Sequence, residues 1–186
     1  MAGVCWAEGV SNLPRLLENY RQEVAQPWLN NLAPQQRIWL AIYEPAEERR
    51  LRMMVQEFKL ATQASEKTWV LMDLTELFGQ WMGQHRYREA YFAAPELLPS
   101  AIGGFEDLLL SELVQRLHES GPQTVVTLLG AGSLYGLTQI SSLLERAAPL
   151  IRGRLLLFFP GSHEGRTYRL LNARDGLHYL SVPITS

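Results

Sequence analysis

Apolar residues recur along this chain in two alternating patterns. Short runs of large and β-branched residues predict buried strands, and stretches with an apolar residue at every third or fourth position predict amphipathic helices. The predicted strands are 37–43, 68–73, 124–129, 154–159, 166–171 and 178–183. The first predicted helix begins near Ser11. Further helices are predicted over 46–64, over a segment that includes 77–82, over 105–119 and after Ser133. This alternation predicts an α/β three-layer domain with a mostly parallel sheet flanked by helices.

The organisation expected for the chain is one α/β domain over 1–186, which suits a length of 186 residues. An N-terminal helical region covers 11–32, and the sheet-containing core covers 36–186. The run 155–159 holds five large apolar residues in succession, so it is predicted to be a central strand covered on both faces. The two last strands, joined by a turn at Asp175-Gly176, predict a C-terminal β-hairpin that extends the sheet.

The carboxyl ends of the parallel strands are predicted to form one rim. Glu44, Asp73, the glycine loop from 130 to 136 and Pro160-Gly161 each follow a strand, and ligands of open α/β sheets bind at such a rim. Glu44 and Asp73 end strands predicted to be neighbours, so the two carboxylates could bind magnesium or act as acid and base. The alternative is local: strand-end acids commonly cap the following helix, and Asp73 lies two residues before Thr75.

The glycine loop carries Gly130, Gly132, Ser133 and Gly136 between a buried strand and a predicted helix. Its backbone N–H groups could face an anion, with Ser133 capping the helix and the helix dipole favouring negative charge. The alternative is a tight turn that needs small residues only. The loop lacks the lysine of a phosphate-binding P-loop, the acidic residue of a dinucleotide site and the glycine spacing of a serine-hydrolase elbow. No catalytic residue is therefore assigned.

The composition of the chain argues against several classes of function. The formal net charge of −2 argues against a dedicated nucleic-acid binder. Cys5 is the only cysteine, so a thiolate metal site is not expected, and a reducing cytoplasm is the predicted compartment. The histidines show no metal-ligand spacing, and no cofactor is expected. The start of the chain lacks the features of a signal peptide, and no apolar run approaches membrane-spanning length.

Positive charge concentrates near the C-terminus, where residues 151–186 carry five arginines against two carboxylates. Arginine pairs well with carboxylate or phosphate groups and is enriched at interfaces. Arg169 and Arg174, within or beside the predicted hairpin, are the candidate partner-binding residues. The alternative is that these arginines are solvated at the edge of the sheet or pair with acidic residues within the hairpin itself.

Several segments, in order and spacing, resemble the BrxB family. They are Ile42-Tyr-Glu-Pro45, Val70-Leu-Met-Asp-Leu74, Val125-Val-Thr-Leu-Leu-Gly-Ala-Gly-Ser-Leu-Tyr135, Ser142-Leu-Leu144, Leu156-Leu-Phe-Phe-Pro-Gly161, Tyr168-Arg-Leu-Leu-Asn-Ala-Arg-Asp-Gly176 and Tyr179-Leu-Ser-Val-Pro-Ile184. The resemblance covers about 13–184. BrxB proteins are small components of BREX anti-phage systems, so it implies a non-enzymatic accessory subunit that acts beside a DNA methyltransferase, an ATPase and a PglZ-type phosphatase-like protein.

Two functional hypotheses follow. The first is an interaction subunit of a BREX-type defence system that acts through protein–protein contacts, with other BREX subunits as partners. The second is a nucleotide- or phosphate-binding enzyme that uses the Gly130–Gly136 loop. The missing lysine and the missing ribose-binding acid favour the first hypothesis.

Overall fold

The computed structural model describes residues 12–29, 31–164, 167–171, 177–178 and 181–185. Strands and helices alternate through most of this part of the chain, as the apolar pattern predicts. The helices are α1 Leu13–Ala25, α2 Glu48–Ala64, α3 Leu77–Gln84, α4 Arg88–Ala93, α5 Ile102–Glu119 and α6 Ile140–Ala147. The strands are β1 Ile38–Tyr43, β2 Thr68–Asp73, β3 Thr124–Leu129, β4 Arg154–Glu164, β5 Thr167–Leu170, β6 Leu177–His178 and β7 Val182–Ile184. Short 3-10 turns span Pro34–Arg37, Pro45–Glu47, Pro95–Ser100, Ala131–Leu134 and Ala148–Leu150.

The main sheet has the strand order β2-β3-β4-β1-β7, and all four of these pairings are parallel. The mostly parallel α/β architecture is therefore confirmed. β4 lies between β3 and β1, and residues 155–159 are fully buried, so the predicted central position of this run is also confirmed. Its register sets Leu155 opposite Ile38 and Arg154 opposite Val125.

A hydrophobic core lies on each face of the sheet, because successive strand residues point to opposite faces. On one face α1 and α2 pack over alternate strand residues, with Trp39, Phe58 and Phe158 at the centre. On the other face α5 and α6 cover the intervening residues, with Phe105 and Phe159 among the largest. Among the helices that the structure describes, none combines the length and the apolar character needed to cross a bilayer.

The C-terminal strands differ from the predicted hairpin in their details. The predicted strand 154–159 was expected to end before Pro160, but β4 continues to Glu164, and β5 pairs antiparallel with this extension. A Cβ atom at Gly161 would overlap the carbonyl oxygen of Arg169, so glycine permits this close pairing.

The predicted last strand is in fact two strands. β6 pairs antiparallel with β5, whereas β7 joins the edge of the main sheet beside β1. Pro183 lies in β7 and is exposed, which suits an edge strand because proline cannot donate a hydrogen bond to a neighbouring strand. The C-terminal strands therefore extend the sheet in two places. The Asp175-Gly176 turn lies outside the described residues.

The helix predicted to start after Ser133 begins later. Ala131–Leu134 forms a 3-10 turn, and α6 starts at Ile140, so the predicted helix cap at Ser133 is wrong. Gly136, which lies between the 3-10 turn and α6, has a φ of +76° and therefore is not helical. The apolar spacing misled because Leu134 is buried in the same core as α6 although it does not belong to that helix.

Candidate functional site

The four strand ends predicted to share a rim do so, but in an order that separates the two carboxylates. Along the rim, Asp73 of β2 comes first, then the glycine loop after β3, then Gly161 in β4, and finally Glu44 after β1. β3 and β4 lie between β2 and β1, so the prediction that Glu44 and Asp73 end neighbouring strands is wrong. A paired-carboxylate metal or acid–base site therefore has no geometric basis here.

Arg52, on α2, is the centre of a polar network at this rim. Its Nε donates a hydrogen bond to Glu48 Oε1 at 2.8 Å, four residues earlier on the same helix. Its Nη1 donates to Asp73 Oδ2 at 3.0 Å, and its Nη2 donates to Thr75 Oγ1 at 2.6 Å. Tyr43, at the end of β1, donates its hydroxyl proton to Glu48 Oε2. The network thereby joins β1 and α2 to the end of β2.

Asp73 closes the network locally. Its Oδ1 accepts hydrogen bonds from the backbone N–H of Thr75, at 3.0 Å, and from the Thr75 hydroxyl. This is the local bonding that the alternative interpretation of Asp73 expected, although it closes a turn and α3 begins only at Leu77. Both carboxylate oxygens of Asp73 and both of Glu48 therefore accept a hydrogen bond within the protein.

The network fixes the protonation states of its members. Partial burial alone would raise the pKa of Asp73, but the hydrogen bonds from Thr75 and Arg52 outweigh it and hold that pKa below its usual value. Burial would likewise lower the pKa of Arg52, and the bonds and charges of Asp73 and Glu48 raise it instead. Burial, followed by the bond to Glu48, raises the pKa of the Tyr43 phenol well above its usual range. At neutral pH the carboxylate of Asp73 and the guanidinium of Arg52 are charged, and the phenol of Tyr43 is protonated.

Gly130 is required by the packing of this network. Its φ of +80° lies in the left-handed region, which non-glycine residues rarely adopt. A Cβ atom there would overlap Thr75 Oγ1 and would lie 3.0 Å from Arg52 Nη2 and 3.1 Å from Asp73 Oδ1. The first glycine of the loop is thus explained by contacts within the protein.

Ser133 and Tyr135, further along the loop, are also bonded internally. The Ser133 hydroxyl donates to the carbonyl oxygens of Gly130, at 2.8 Å, and Leu74, at 3.2 Å. The backbone N–H groups of Ser133 and Tyr135 donate to the carbonyls of Gly130 and Gly132. Because α6 begins only at Ile140, the loop does not form the N-terminus of the helix that follows it. This geometry favours the tight-turn interpretation over an anion cradle.

Two open clefts lie at the rim, and all the predicted rim and loop residues except Asp73 and Gly136 line one or the other. The first, of about 340 Å³, is lined by Pro45, Glu48, Arg52, Thr75, Gly130, Gly132, Ser133, Pro160 and Leu171. The second, of about 290 Å³, is lined by Asn12, Leu13, Leu16, Ile42, Tyr43, Glu44, Glu47, Gly161, Ser162 and Thr185. Gly132 and Ser133 thus face one cleft, and Glu44 and Gly161 face the other. Within the described ranges, no group of three or more His, Cys, Asp or Glu side chains is placed to hold a metal ion.

The C-terminal arginines that the structure describes differ in their exposure. Arg169 is exposed on β5, where it pairs with Ser162, and Arg174 lies outside the described residues. Arg154, at the start of β4, is only 5% exposed. Its guanidinium lies 4.7 Å from the centre of the Trp28 ring and 5.7 Å from that of Trp39. Burial and, secondarily, the charge of Arg37 lower the pKa of Arg154. Arg154 is therefore a core residue with cation–π contacts and contributes nothing to a partner surface.

Sequence reasoning missed Arg52, the residue that organises the rim. Glu48 and Arg52 are four residues apart on one helix, a spacing typical of an ion pair, and this was the available signal. The contacts of Arg52 to Asp73 and Thr75 depend on how α2 lies against β2, which local spacing does not specify. Comparison of the chain with family models, with curated proteins and with solved structures found no match.

Proposed function

We propose that this protein is a non-enzymatic interaction subunit of a BREX-type anti-phage defence system. The resemblance of its segments to the BrxB family suggests the system. The observation that carries the non-enzymatic part of the proposal is the closed network at the rim, where Arg52, Glu48, Asp73, Thr75 and Tyr43 bond one another.

A catalytic rim would need side chains with protonation states suited to proton transfer or nucleophilic attack. A general acid or base works best when its pKa lies near the working pH. Here the pKa of Asp73 is lowered and that of Tyr43 is raised, so both move away from neutrality. The Ser133 hydroxyl donates to backbone carbonyls, and neither of these contacts joins it to a side chain that could accept its proton as a general base. These properties support a rim that stabilises the fold.

The partners under this proposal are other BREX subunits, namely the PglZ-type phosphatase-like protein and the methyltransferase. Arg169 supports contact with an acidic surface, because it is an exposed arginine on β5. The corresponding role of Arg174 is part of the same proposal.

The test is a charge reversal, Arg169→Glu with Arg174→Glu, in the tagged chain co-expressed with the neighbouring subunits. We expect an unchanged thermal melt by circular dichroism and a loss of co-purified subunits that parallels the loss caused by high salt in the wild type. The matched control is Arg49→Glu with Arg50→Glu, which reverses two exposed arginines at the start of α2. A folded Arg169/Arg174 variant that recovers partners as well as the control does would refute this contact surface.

One observation favours a nucleotide- or phosphate-binding enzyme as the second candidate. The 340 Å³ cleft places the Arg52 side chain beside Gly130, Gly132 and Ser133. A thermal-shift panel of ATP, GTP and inorganic phosphate, each with Mg²⁺, separates the candidates. A ligand at a hundred times its dissociation constant adds about 2.7 kcal/mol to the free energy of unfolding. We expect no shift from any of them; a saturable, Mg²⁺-dependent shift that is lost in Gly132→Arg would favour the enzyme.

A further inference from the structure

A cluster of cations surrounds Trp28 at the amino-terminal edge of the main sheet, opposite the rim. Arg154 is the first residue of β4, Lys67 immediately precedes β2, and Arg37 immediately precedes β1. Lys67 Nζ lies 4.8 Å from the centre of the Trp28 ring, and the guanidinium carbon of Arg154 lies 4.7 Å from it. The charge of Arg37 is close enough to lower the pKa of Arg154. Three positive charges are therefore gathered at this edge.

Arg154 is buried without an ionic partner. It is only 5% exposed, and arginine is almost never buried to this degree unless it is paired. Within the described part of the chain no ion pair joins it to a carboxylate, and Glu23 acts on it only through its charge. Because an arginine side chain does not lose its proton in proteins, the buried guanidinium keeps a positive charge that no carboxylate in contact with it balances.

Two hydrogen-bond donors of this cluster have no acceptor in the protein. Arg154 Nη1 donates to the carbonyl oxygen of Gly153 at 3.0 Å. Arg154 Nε and Trp28 Nε1 are both shielded from solvent, and neither bonds to any residue that the structure describes. Such groups are rare in folded proteins, and a bound ion or water commonly accounts for them. Both nitrogens can donate and neither can accept, so whatever completes the site must accept hydrogen bonds.

Charge and space determine which acceptor fits. The positive charges of Arg37, Lys67 and Arg154 exceed the negative charge of Glu23, so an anion balances the cluster better than a neutral water molecule does. A water molecule would also bring two hydrogens that need acceptors of their own. Because both unpaired nitrogens are shielded from solvent, a single-atom anion suits them better than a polyatomic anion such as phosphate.

We propose that Arg154 and Trp28 bind a chloride ion at the amino-terminal edge of the sheet. Arg154 Nε–H and Trp28 Nε1–H donate to the ion, and the charges of Lys67 and Arg37 add to its attraction. A guanidinium that stacks on an aromatic ring keeps its N–H donors in its own plane, so the cation–π contact with Trp28 leaves those donors available. The ion neutralises the buried charge and links the segment after α1 to the start of β4. This inference does not depend on the proposed function, because it involves neither the rim nor another subunit.

Thermal unfolding tests the site when sodium chloride replaces sodium gluconate at constant ionic strength, because gluconate is too large to enter. At ten times its dissociation constant, chloride should raise the midpoint by about 3–6 °C, and the rise should saturate. Arg154→Met removes the charge and the Nε donor and should abolish the rise. Arg152→Met, which alters the exposed arginine two residues earlier, is the matched control and should keep it. A wild-type midpoint that does not depend on chloride, or a rise that survives Arg154→Met, would overturn the proposal.

The line width of the chloride NMR signal measures binding directly, because an ion held by a protein relaxes faster than a free one. The wild type should broaden the signal in a saturable way. Trp28→Phe keeps an aromatic ring but lacks the N–H donor, so it should raise the dissociation constant for chloride about tenfold or more. Absence of broadening by the wild type, or an unchanged dissociation constant in Trp28→Phe, would overturn the proposal. If Arg154→Met does not fold, this comparison decides.

Discussion

Replacing Gly130 by alanine measures how tightly the rim network is packed. Two effects add at this position. The backbone has a φ of +80°, and holding a residue with a Cβ in the left-handed region costs roughly 1–2 kcal/mol. The new Cβ would also displace Thr75 Oγ1, which accepts a 2.6 Å bond from Arg52. Losing a hydrogen bond to a charged group costs about 1.5–3 kcal/mol, so we expect a total of about 2.5–5 kcal/mol.

Gly136 offers a matched control. Its φ of +76° is nearly the same, but a Cβ there would have no heavy atom within 4 Å. Gly136→Ala should therefore show the backbone effect alone, of roughly 1–2 kcal/mol. The difference between the two variants isolates the contribution of the network.

The assay is urea unfolding followed by circular dichroism, with midpoints compared at unchanged slope. A double-mutant cycle with Thr75→Ala adds a second check. Removing the hydroxyl should reduce the cost of Gly130→Ala by about 1 kcal/mol or more, because the two residues are in direct contact. Equal losses in Gly130→Ala and Gly136→Ala, together with no coupling to Thr75, would refute the packing of the network against the loop.

Three further predictions concern the sheet and its charges. Leu157→Ala, in the fully buried centre of β4, should cost about 2–5 kcal/mol in urea unfolding, and a loss under about 1 kcal/mol would contradict its central position. Asp73 has a lowered pKa in the folded protein, so its contribution to stability is present above its unfolded pKa, near 3.8, and is lost as the pH falls through the folded pKa. The stability difference between wild type and Asp73→Asn should therefore be constant above about pH 5 and shrink below about pH 4, and a difference that persists at low pH would count against this. Gly161→Ala should disrupt the pairing of β4 with β5, because its Cβ would meet the Arg169 carbonyl, and hydrogen exchange that stays unchanged in β5 would argue otherwise.

The sequence predicted those parts of the fold that depend on local pattern. β2 and β3 have the bounds that their apolar runs indicate, and the run of β3 is framed by Gly121-Pro122 and Gly130, which favour turns. The central burial of β4 followed from its composition alone. The spatial order of the strands did not follow, because chain order places β1 next to β2, whereas the structure inserts β3 and β4 between them.

The errors have two physical causes. Pro160-Gly161 predicts a turn by local preference, but tertiary pairing with β5 keeps these residues in β4, and the small size of glycine makes the pairing possible. The rim network was not predicted because its main contacts join residues more than 20 positions apart, from Arg52 to Asp73 and Thr75. Such contacts depend on the position of a helix over a sheet, which local periodicity does not encode.

The proposed role as a BREX interaction subunit is tested most directly by affinity purification of the tagged full chain from its native host, with bound proteins quantified by mass spectrometry. We expect BREX subunits, the PglZ-type protein or the methyltransferase among them, to be recovered in amounts comparable to the tagged chain. Recovery of the chain without any BREX subunit would contradict the proposal.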